Sequence, residues 1–202
     1  KGAKTEYQTS IVHAETTATP PVVYVPGAQN LTLNQAILQV VDGGIIEVAA
    51  GTYTERVVIN NQNKRFTIRA ESGKTVVLSG ASSHDVLRFY NSDLATGGHV
   101  VFEGLTFTNG YSDRDGWAGG VTVNKAEATF INCIFSNNIG VQPTAGGGGL
   151  FITNGSKVFF INATFSGNTN RNYGGGFALE YASTASVMNS QCINNRVNVV
   201  GH

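Results

Sequence analysis

The stretch ATFINCIFSNN at residues 128–138 returns as VFFINATFSGN at residues 158–168. Both copies hold a phenylalanine, an asparagine, a second phenylalanine and a final asparagine at the same positions. Related stretches stand at 102–110 (FEGLTFTNG) and 187–195 (VMNSQCINN). A motif of short alternating apolar segments that recurs with such a period predicts a solenoid, in which each coil buries its apolar face against its neighbours.

The repeat spacing can be measured between the last apolar residues of the four copies. Phe107, Phe135, Phe165 and Cys192 are separated by 28, 30 and 27 residues. Each repeat offers three apolar stretches, such as LFI, KVFF and ATF, and lacks the regular leucines and the helix of a leucine-rich repeat. Three strands per coil, with successive coils about 4.8 Å apart, predict an all-β fold, a parallel β-helix.

Two columns of asparagine support this alignment. Asn132, Asn162 and Asn189 precede the third strand of their coils, and Gly104 takes that position in an earlier coil. Asparagine and glycine both tolerate the left-handed backbone conformation, so this column predicts a sharp corner whose amides hydrogen-bond from coil to coil. The second column follows the third strand and contains Asn138, Asn168 and Asn195.

The segment upstream of the repeats predicts the start of the solenoid. Leu33, Ala36, Ile37 and Val40 have helical spacing, and Thr32 before them is a candidate N-cap. We therefore predict a capping helix at about residues 32–41, which covers the apolar end of the first coil. The predicted organisation is an extended N-terminal arm at 1–28 and a single β-helix at 29–202.

Two segments resemble the pectin-lyase-like superfamily of right-handed parallel β-helices. AILQVVDGGIIEVAAGTYTERVVI (36–59) is similar to the N-terminal cap and first coil of many secreted members. FTIRAESGKTVVLSG (66–80) with VVFEGLTFTNG (100–110) resembles the early coils of the alginate lyase and chondroitinase B family. The later GGGGLF and FSGN stretches resemble repeats of chlamydial polymorphic outer-membrane proteins, which are surface adhesins. The resemblance implies a right-handed coil but several functions, because this scaffold hosts lyases, hydrolases and noncatalytic surface proteins.

Composition limits the class of partner. The 202 residues carry 13 basic and 13 acidic side chains, so the net charge is zero and gives no electrostatic footprint for nucleic acid. No apolar run approaches the roughly 20 residues of a membrane-spanning helix. Met188 is the only methionine, so the chain starts without an initiator, and a removed leader would imply an extracellular or cell-surface location.

The outer face of the first strand of each coil is the sugar groove in the resembled superfamily. If the apolar residues flanking them point inward, Thr122, Phe151 and Ala178 point outward. This outward stripe carries no charge, so it predicts no grip on a uronate, although Phe151 could stack on a neutral sugar or another protein. The catalytic residues of the resembled lyases lie on coils further along, and none can be placed here.

The loops beside that stripe hold the remaining candidates for ligand binding. Tyr111, Trp117 and Tyr173 are potential stacking faces for a glycan, and Asp113 and Asp115 are weak candidates for calcium ligands around Arg114. The alternative is a solvated loop whose Asp–Arg–Asp run pairs with itself, which we favour. No other cofactor is predicted.

Other motifs indicate structure rather than chemistry. Ser83, His84 and Asp85 adjoin in sequence, but neighbours on a strand face opposite ways, so we expect no catalytic triad. Cys133 and Cys192 should be two free, buried thiols, too far apart for a disulfide. Asn30, Asn154 and Asn162 match the glycosylation acceptor pattern, with Asn162 predicted to be unavailable in its corner.

The last coil ends in INNRVNVVGH with no visible cap. The natural chain could be longer, the arm could fold back as a cover, or copies could stack head to tail into a filament. We therefore predict a noncatalytic structural or adhesive β-helix that associates with copies of itself and binds polysaccharide through its loops. The alternative is a polysaccharide lyase, or a fragment of one, acting on acidic polysaccharides.

Overall fold

A computed structural model describes residues 19–60, 63–91, 98–142 and 146–198, which wind into a parallel β-helix. Each strand pairs in parallel with the equivalent strand of the next coil, so that the strands form four sheets along the solenoid. Sheets A, B and C correspond to the three predicted strands per coil. The fourth, sheet D, consists of two-residue strands in the later coils and was not predicted.

The strands of the two larger sheets follow in spatial order. Sheet A contains β1 (Val22–Val25), β2 (Ile45–Val48), β5 (Arg65–Ala70), β8 (His99–Glu103), β12 (Glu127–Ile131), β16 (Lys157–Ile161) and β20 (Thr184–Met188). Sheet B contains β3 (Gly51–Tyr53), β6 (Val76–Ser79), β9 (Leu105–Thr108), β13 (Ile134–Ser136), β17 (Thr164–Ser166) and β21 (Gln191–Ile193).

The two smaller sheets complete each coil. Sheet C contains β4 (Val57–Asn60), β7 (Leu87–Tyr90), β11 (Val121–Asn124), β15 (Leu150–Thr153) and β19 (Phe177–Leu179). Sheet D contains β10 (Tyr111–Ser112), β14 (Ile139–Gly140), β18 (Thr169–Asn170) and β22 (Arg196–Val197).

The predicted capping helix is confirmed as α1 (Leu33–Gln39). The Thr32 hydroxyl accepts a hydrogen bond from the Gln35 backbone N–H, and the Gln35 side chain accepts one from the Thr32 N–H, which is a capping box. The helix packs on β1 and β4 and buries Leu33, Ala36 and Ile37 in the core. It therefore covers the apolar interior at the first coil.

The predicted arm overlaps the solenoid. Residues 1–18 lie outside the described residues, but Val22–Val25 pairs with β2 as the first strand of sheet A. The boundary predicted at residue 28 is therefore too late. Pro26 and Gly27 lie between this first strand and the helix.

Phenylalanine side chains form the centre of the core. Phe102, Phe130 and Phe160 stack from coil to coil behind sheet A, with neighbouring ring centroids 4.8 and 5.8 Å apart. Phe107, Phe135 and Phe165 stack behind sheet B at 5.1 and 4.6 Å. The two stacks meet edge to face, which favours the quadrupoles of both sets of rings.

The asparagine columns lie where they were predicted. Asn132, Asn162 and Asn189 have φ of 52°, 55° and 51°, and Gly104 in the same corner has φ of 69°. The Asn162 amide donates to Asn132 Oδ1 over 2.7 Å. Asn162 is solvent-exposed, so burial does not make its amide unavailable for glycosylation. The amide is instead occupied by its hydrogen bond to Asn132.

The second column is a buried ladder between sheets B and D. Asn138 Nδ2 donates to Asn168 Oδ1 over 3.0 Å, and Asn168 Nδ2 donates to Asn195 Oδ1 over 2.9 Å. Each of these three amides also donates to the backbone carbonyl of Phe107, Phe135 or Phe165 in the coil before it. This column connects the later coils to one another and to the phenylalanine core.

Glycine runs lie directly against this ladder. A side chain at Gly120 would collide with the Gly149 carbonyl and the Asn138 amide, and one at Gly149 with the Gly176 carbonyl and the Asn168 amide. The runs also hydrogen-bond to each other from coil to coil, as from Gly120 N to Gly148 O over 3.0 Å. Glycine is required here because the backbones of successive coils pass in contact.

Both cysteines were predicted to be free and buried, and the burial of Cys192 is the part that is wrong. Cys133 is free and buried, and burial raises the pKa of its thiol to about 12. Cys192 is free but exposed. It shares the register of the buried Phe165, yet β21 is the edge strand of sheet B, and no further described coil covers its inner side.

Candidate functional site

The outer face of sheet C differs from the uncharged stripe predicted for it. Thr122 is paired in register with Arg88 of β7, so a cation belongs to the same column. Thr122 and Phe151 are also 0% and 1% exposed, so neither side chain is open to a solute. At Thr122 the segment before β11 lies over the sheet, and the Ala118 N–H donates to Thr122 Oγ1 over 2.8 Å. The proposed stacking role of Phe151 is therefore wrong.

A groove of about 590 Å³ lies over the outer face of β4, β7 and β11. Three cationic side chains line it, and no acidic side chain of the described residues does: Arg56, Arg88 and Lys125. Aromatic surface comes from Tyr90 and from Trp117, which precedes β11. The strand ends contribute three amides: Asn91, Asn124 and Asn154.

One buried carboxylate binds two of the three cationic side chains. Asp85 is 2% exposed and accepts from Arg88 through both oxygens, at 2.6 and 2.8 Å. Arg56 Nε lies 2.9 Å from Asp85 Oδ1. A buried carboxylate needs such partners, but two guanidinium groups share this one, so the cluster keeps excess positive charge.

Trp117 is a second partner of the Arg88 side chain. The Arg88 guanidinium carbon lies 4.1 Å from the centroid of the indole ring, which is a cation–π contact. Arg88 is only 15% exposed and is held between Asp85 and Trp117, whereas the Arg56 side chain is 40% exposed. Arg56 and the exposed Lys125 are therefore the cations that a solute in the groove can reach.

Of the seven ligand-binding candidates from the sequence, Trp117 is the one that lines the groove. Asp113, Arg114 and Asp115 are exposed in the turn before it, while Tyr111 and Tyr173 are partly buried elsewhere. No cluster of three or more potential metal-binding His, Cys, Asp or Glu side chains occurs within the described ranges. Calcium binding by Asp113 and Asp115 stays a prediction.

The tripeptide 83–85 has a different role from the triad considered above. The Ser83 hydroxyl donates to the Gly80 carbonyl, and the His84 ring nitrogens lie 2.9 and 3.0 Å from the carbonyls of Asp85 and Thr54. Asp85 turns away toward the arginines. The spacing of Asp85 and Arg88, three residues apart across a strand start, was the available signal for the ion pair and was missed.

The sequence itself can be compared with known protein families. Residues 90–201 match a family model described as a right handed beta helix region. The chain belongs to the right-handed β-helix family. The predicted handedness, parallel coils and resemblance to pectin-lyase-like β-helices are thereby confirmed. No curated protein and no solved structure matches this β-helix protein significantly. Across the described ranges, none of its helices is long and apolar enough to cross a membrane.

Proposed function

We propose that this β-helix protein is a noncatalytic extracellular module that binds an acidic polysaccharide in the groove over sheet C. The observation that carries the proposal is the sharing of one buried carboxylate, Asp85, by Arg56 and Arg88. With Lys125, three cationic groups line the groove, and the single carboxylate of Asp85 pairs with two of them. A carboxylate-bearing sugar complements this charge.

The geometry also suits a sugar ring. Tyr90 and Trp117 give aromatic surface against which the apolar face of a pyranose packs, and Asn124 and Asn154 give polar groups at the rim. Arg56 can donate two N–H groups to a uronate carboxylate, which is the bidentate arrangement that arginine favours. The groove crosses several coils, so it can follow a chain of sugars rather than a single unit.

Binding without turnover is favoured by the state of the arginines. A lyase removes a proton beside the carboxylate and stabilises the resulting enolate. Arg88 is committed to Asp85 and Trp117, and a guanidinium stays protonated. The positive groove is nevertheless what a lyase would use to hold its substrate, and lyase activity is therefore the second candidate.

Titration calorimetry with polygalacturonate, alginate and chondroitin, and with neutral dextran, tests the proposal. We expect the acidic polymers to bind, more weakly at high salt, and dextran not to bind. Arg56→Gln or Lys125→Gln should weaken binding at least about tenfold, the value of one charged hydrogen bond. Lys74→Gln, an exposed lysine in the turn after β5, removes the same charge and should leave the affinity unchanged.

Equal affinity of the groove variants and the wild type would disprove the proposal. Release of unsaturated uronate, followed by ultraviolet absorbance during the same titrations, would replace it with the lyase function.

A second hypothesis concerns association between copies. On the last described coil, Val187, Met188 and Ile193 are 51%, 59% and 42% exposed, and β20 and β21 are edge strands. Unpaired strand edges beside apolar side chains can pair with another chain. We propose that copies of the protein associate through this coil, with the test given below.

A further inference from the structure

We infer that Asn91 is a specificity-determining residue of the groove. Its side-chain oxygen accepts a hydrogen bond from a free hydroxyl of the bound sugar, so the groove takes acidic units whose hydroxyl is unsubstituted at that point. Units that are O-acetylated there are rejected. This inference rests on the proposed function and names the feature of the ligand that charge alone does not select.

The observation is an unpaired acceptor in a site built for a ligand. Asn91 follows β7 directly, is 7% exposed and lines the groove. Its backbone N–H donates to the Asn124 carbonyl over 3.1 Å, which fixes the residue in place. Its Oδ1 atom is buried and has no hydrogen-bond partner among the described residues.

The neighbouring amides of the groove and the amides of the buried ladder do not share this state. Asn154 Nδ2 donates to Asn124 Oδ1 over 3.0 Å, so the two neighbouring amides in the groove are paired with each other. Asn138 and Asn168 in the buried ladder use both ends of their amides. Among the described residues, the two other buried polar atoms without a partner, on Asn170 and Ser183, do not line this groove.

An acceptor without a donor loses its hydration on burial and gains nothing in return, so such groups are rare in folded proteins. A ligand hydroxyl supplies the missing donor. The same oxygen repels a carboxylate, which Arg56 and Lys125 attract. The two sets of groups therefore orient a uronate, with its carboxylate toward the cations and a hydroxyl toward Asn91.

The test compares oligogalacturonate and oligoalginate with their O-acetylated forms, measured by calorimetry on the full chain. Wild type should bind the unsubstituted oligomers at least about tenfold more tightly than the acetylated ones. Asn91→Leu, of similar volume but without the acceptor, should reduce this preference to near one. Gln39→Leu, which removes an exposed side-chain amide on the capping helix away from the groove, is the control, and it should keep the preference.

Stability gives a second readout. If Asn91 served the fold, Asn91→Leu would lower the denaturant midpoint; we expect the midpoint to stay or rise, because an unpaired buried oxygen is removed. Asn91→Ala decides the matter if the leucine variant does not fold.

The outcomes separate the two proposals. If wild type binds none of the oligomers, the proposed function fails. If wild type binds both forms equally, or Asn91→Leu keeps the full preference, the role of Asn91 fails while acidic-polysaccharide binding stands.

Discussion

At the scale of single residues, asparagine does two different jobs in this protein. Asn132, Asn162 and Asn189 turn the chain at a solvent-exposed corner and are chosen for backbone conformation, since Gly104 serves equally in an earlier coil. Asn168, in the buried ladder, is chosen for its amide. It accepts from Asn138 and donates both to Asn195 and to the Phe135 carbonyl.

These roles predict losses of stability of different size on substitution. Asn168→Ala should lower the free energy of unfolding by about 2–4 kcal/mol, because it leaves several buried groups without partners. Asn162→Gly keeps the left-handed backbone and loses one exposed hydrogen bond, so it should cost less than about 1 kcal/mol. Urea unfolding monitored by circular dichroism compares the two. Similar losses for both variants would contradict the distinction.

At the scale of the strands, the side chains on the inner face of each strand hold it against the core. In β16, Phe160 is fully buried in the phenylalanine stack behind sheet A, whereas Phe159 beside it is 42% exposed on the outer face. Phe135 of β13 contacts the rings of Phe107 and Phe165 in its own stack and of Phe130 and Phe160 in the other. A phenylalanine on the inner face of a strand therefore contributes more to the stability of the fold than one on the outer face.

Phe135→Ala should destabilise the protein by about 3–5 kcal/mol, the usual cost of removing a buried phenylalanine. Phe159→Ala is the control for composition, and we expect a change within about 1 kcal/mol. Thermal and urea unfolding of both variants give the measurement. A large loss for Phe159→Ala would indicate that the outer face of sheet A is covered in solution.

At the scale of the whole molecule, coils protect one another by stacking. Cys133 lies under following coils and is buried, while Cys192 at an edge strand is exposed, although both point toward the interior. The two thiols therefore report separately on the interior and on the last described coil. Association of copies through that coil would bury Cys192 and leave Cys133 unchanged.

Titration with a thiol reagent at mildly alkaline pH should modify one cysteine of the dilute native protein and two after denaturation. Cys133 should not react in the folded state, because burial holds it as a neutral thiol with a raised pKa. If copies associate as proposed, the reaction of Cys192 should slow as the protein concentration rises, and Val187→Lys should remove that dependence. A rate independent of concentration, with a single species in sedimentation, would contradict the association.

Local patterns in the sequence determined the coil and its corners. The spacing of Phe107, Phe135 and Phe165 defined the repeat, and the recurrence of asparagine or glycine marked where the backbone had to be left-handed. The helix at 33–39 followed from its apolar spacing and from the Thr32 cap. These features depend on residues within one coil, or on residues that recur at a nearly constant spacing. They can therefore be predicted from the sequence.

Tertiary structure alone decided the groove and what is exposed. Arg56, Trp117 and the local Asp85–Arg88 pair come from different coils of unequal length, so no constant spacing relates them, and stacking brings them together. Alternation along a strand tells which side chains face the core. It does not tell whether the outer face is buried, as at Phe151, or whether a further coil covers the inner face, as at Cys192. Burial depends on what packs from outside the strand, and that is a property of the folded chain.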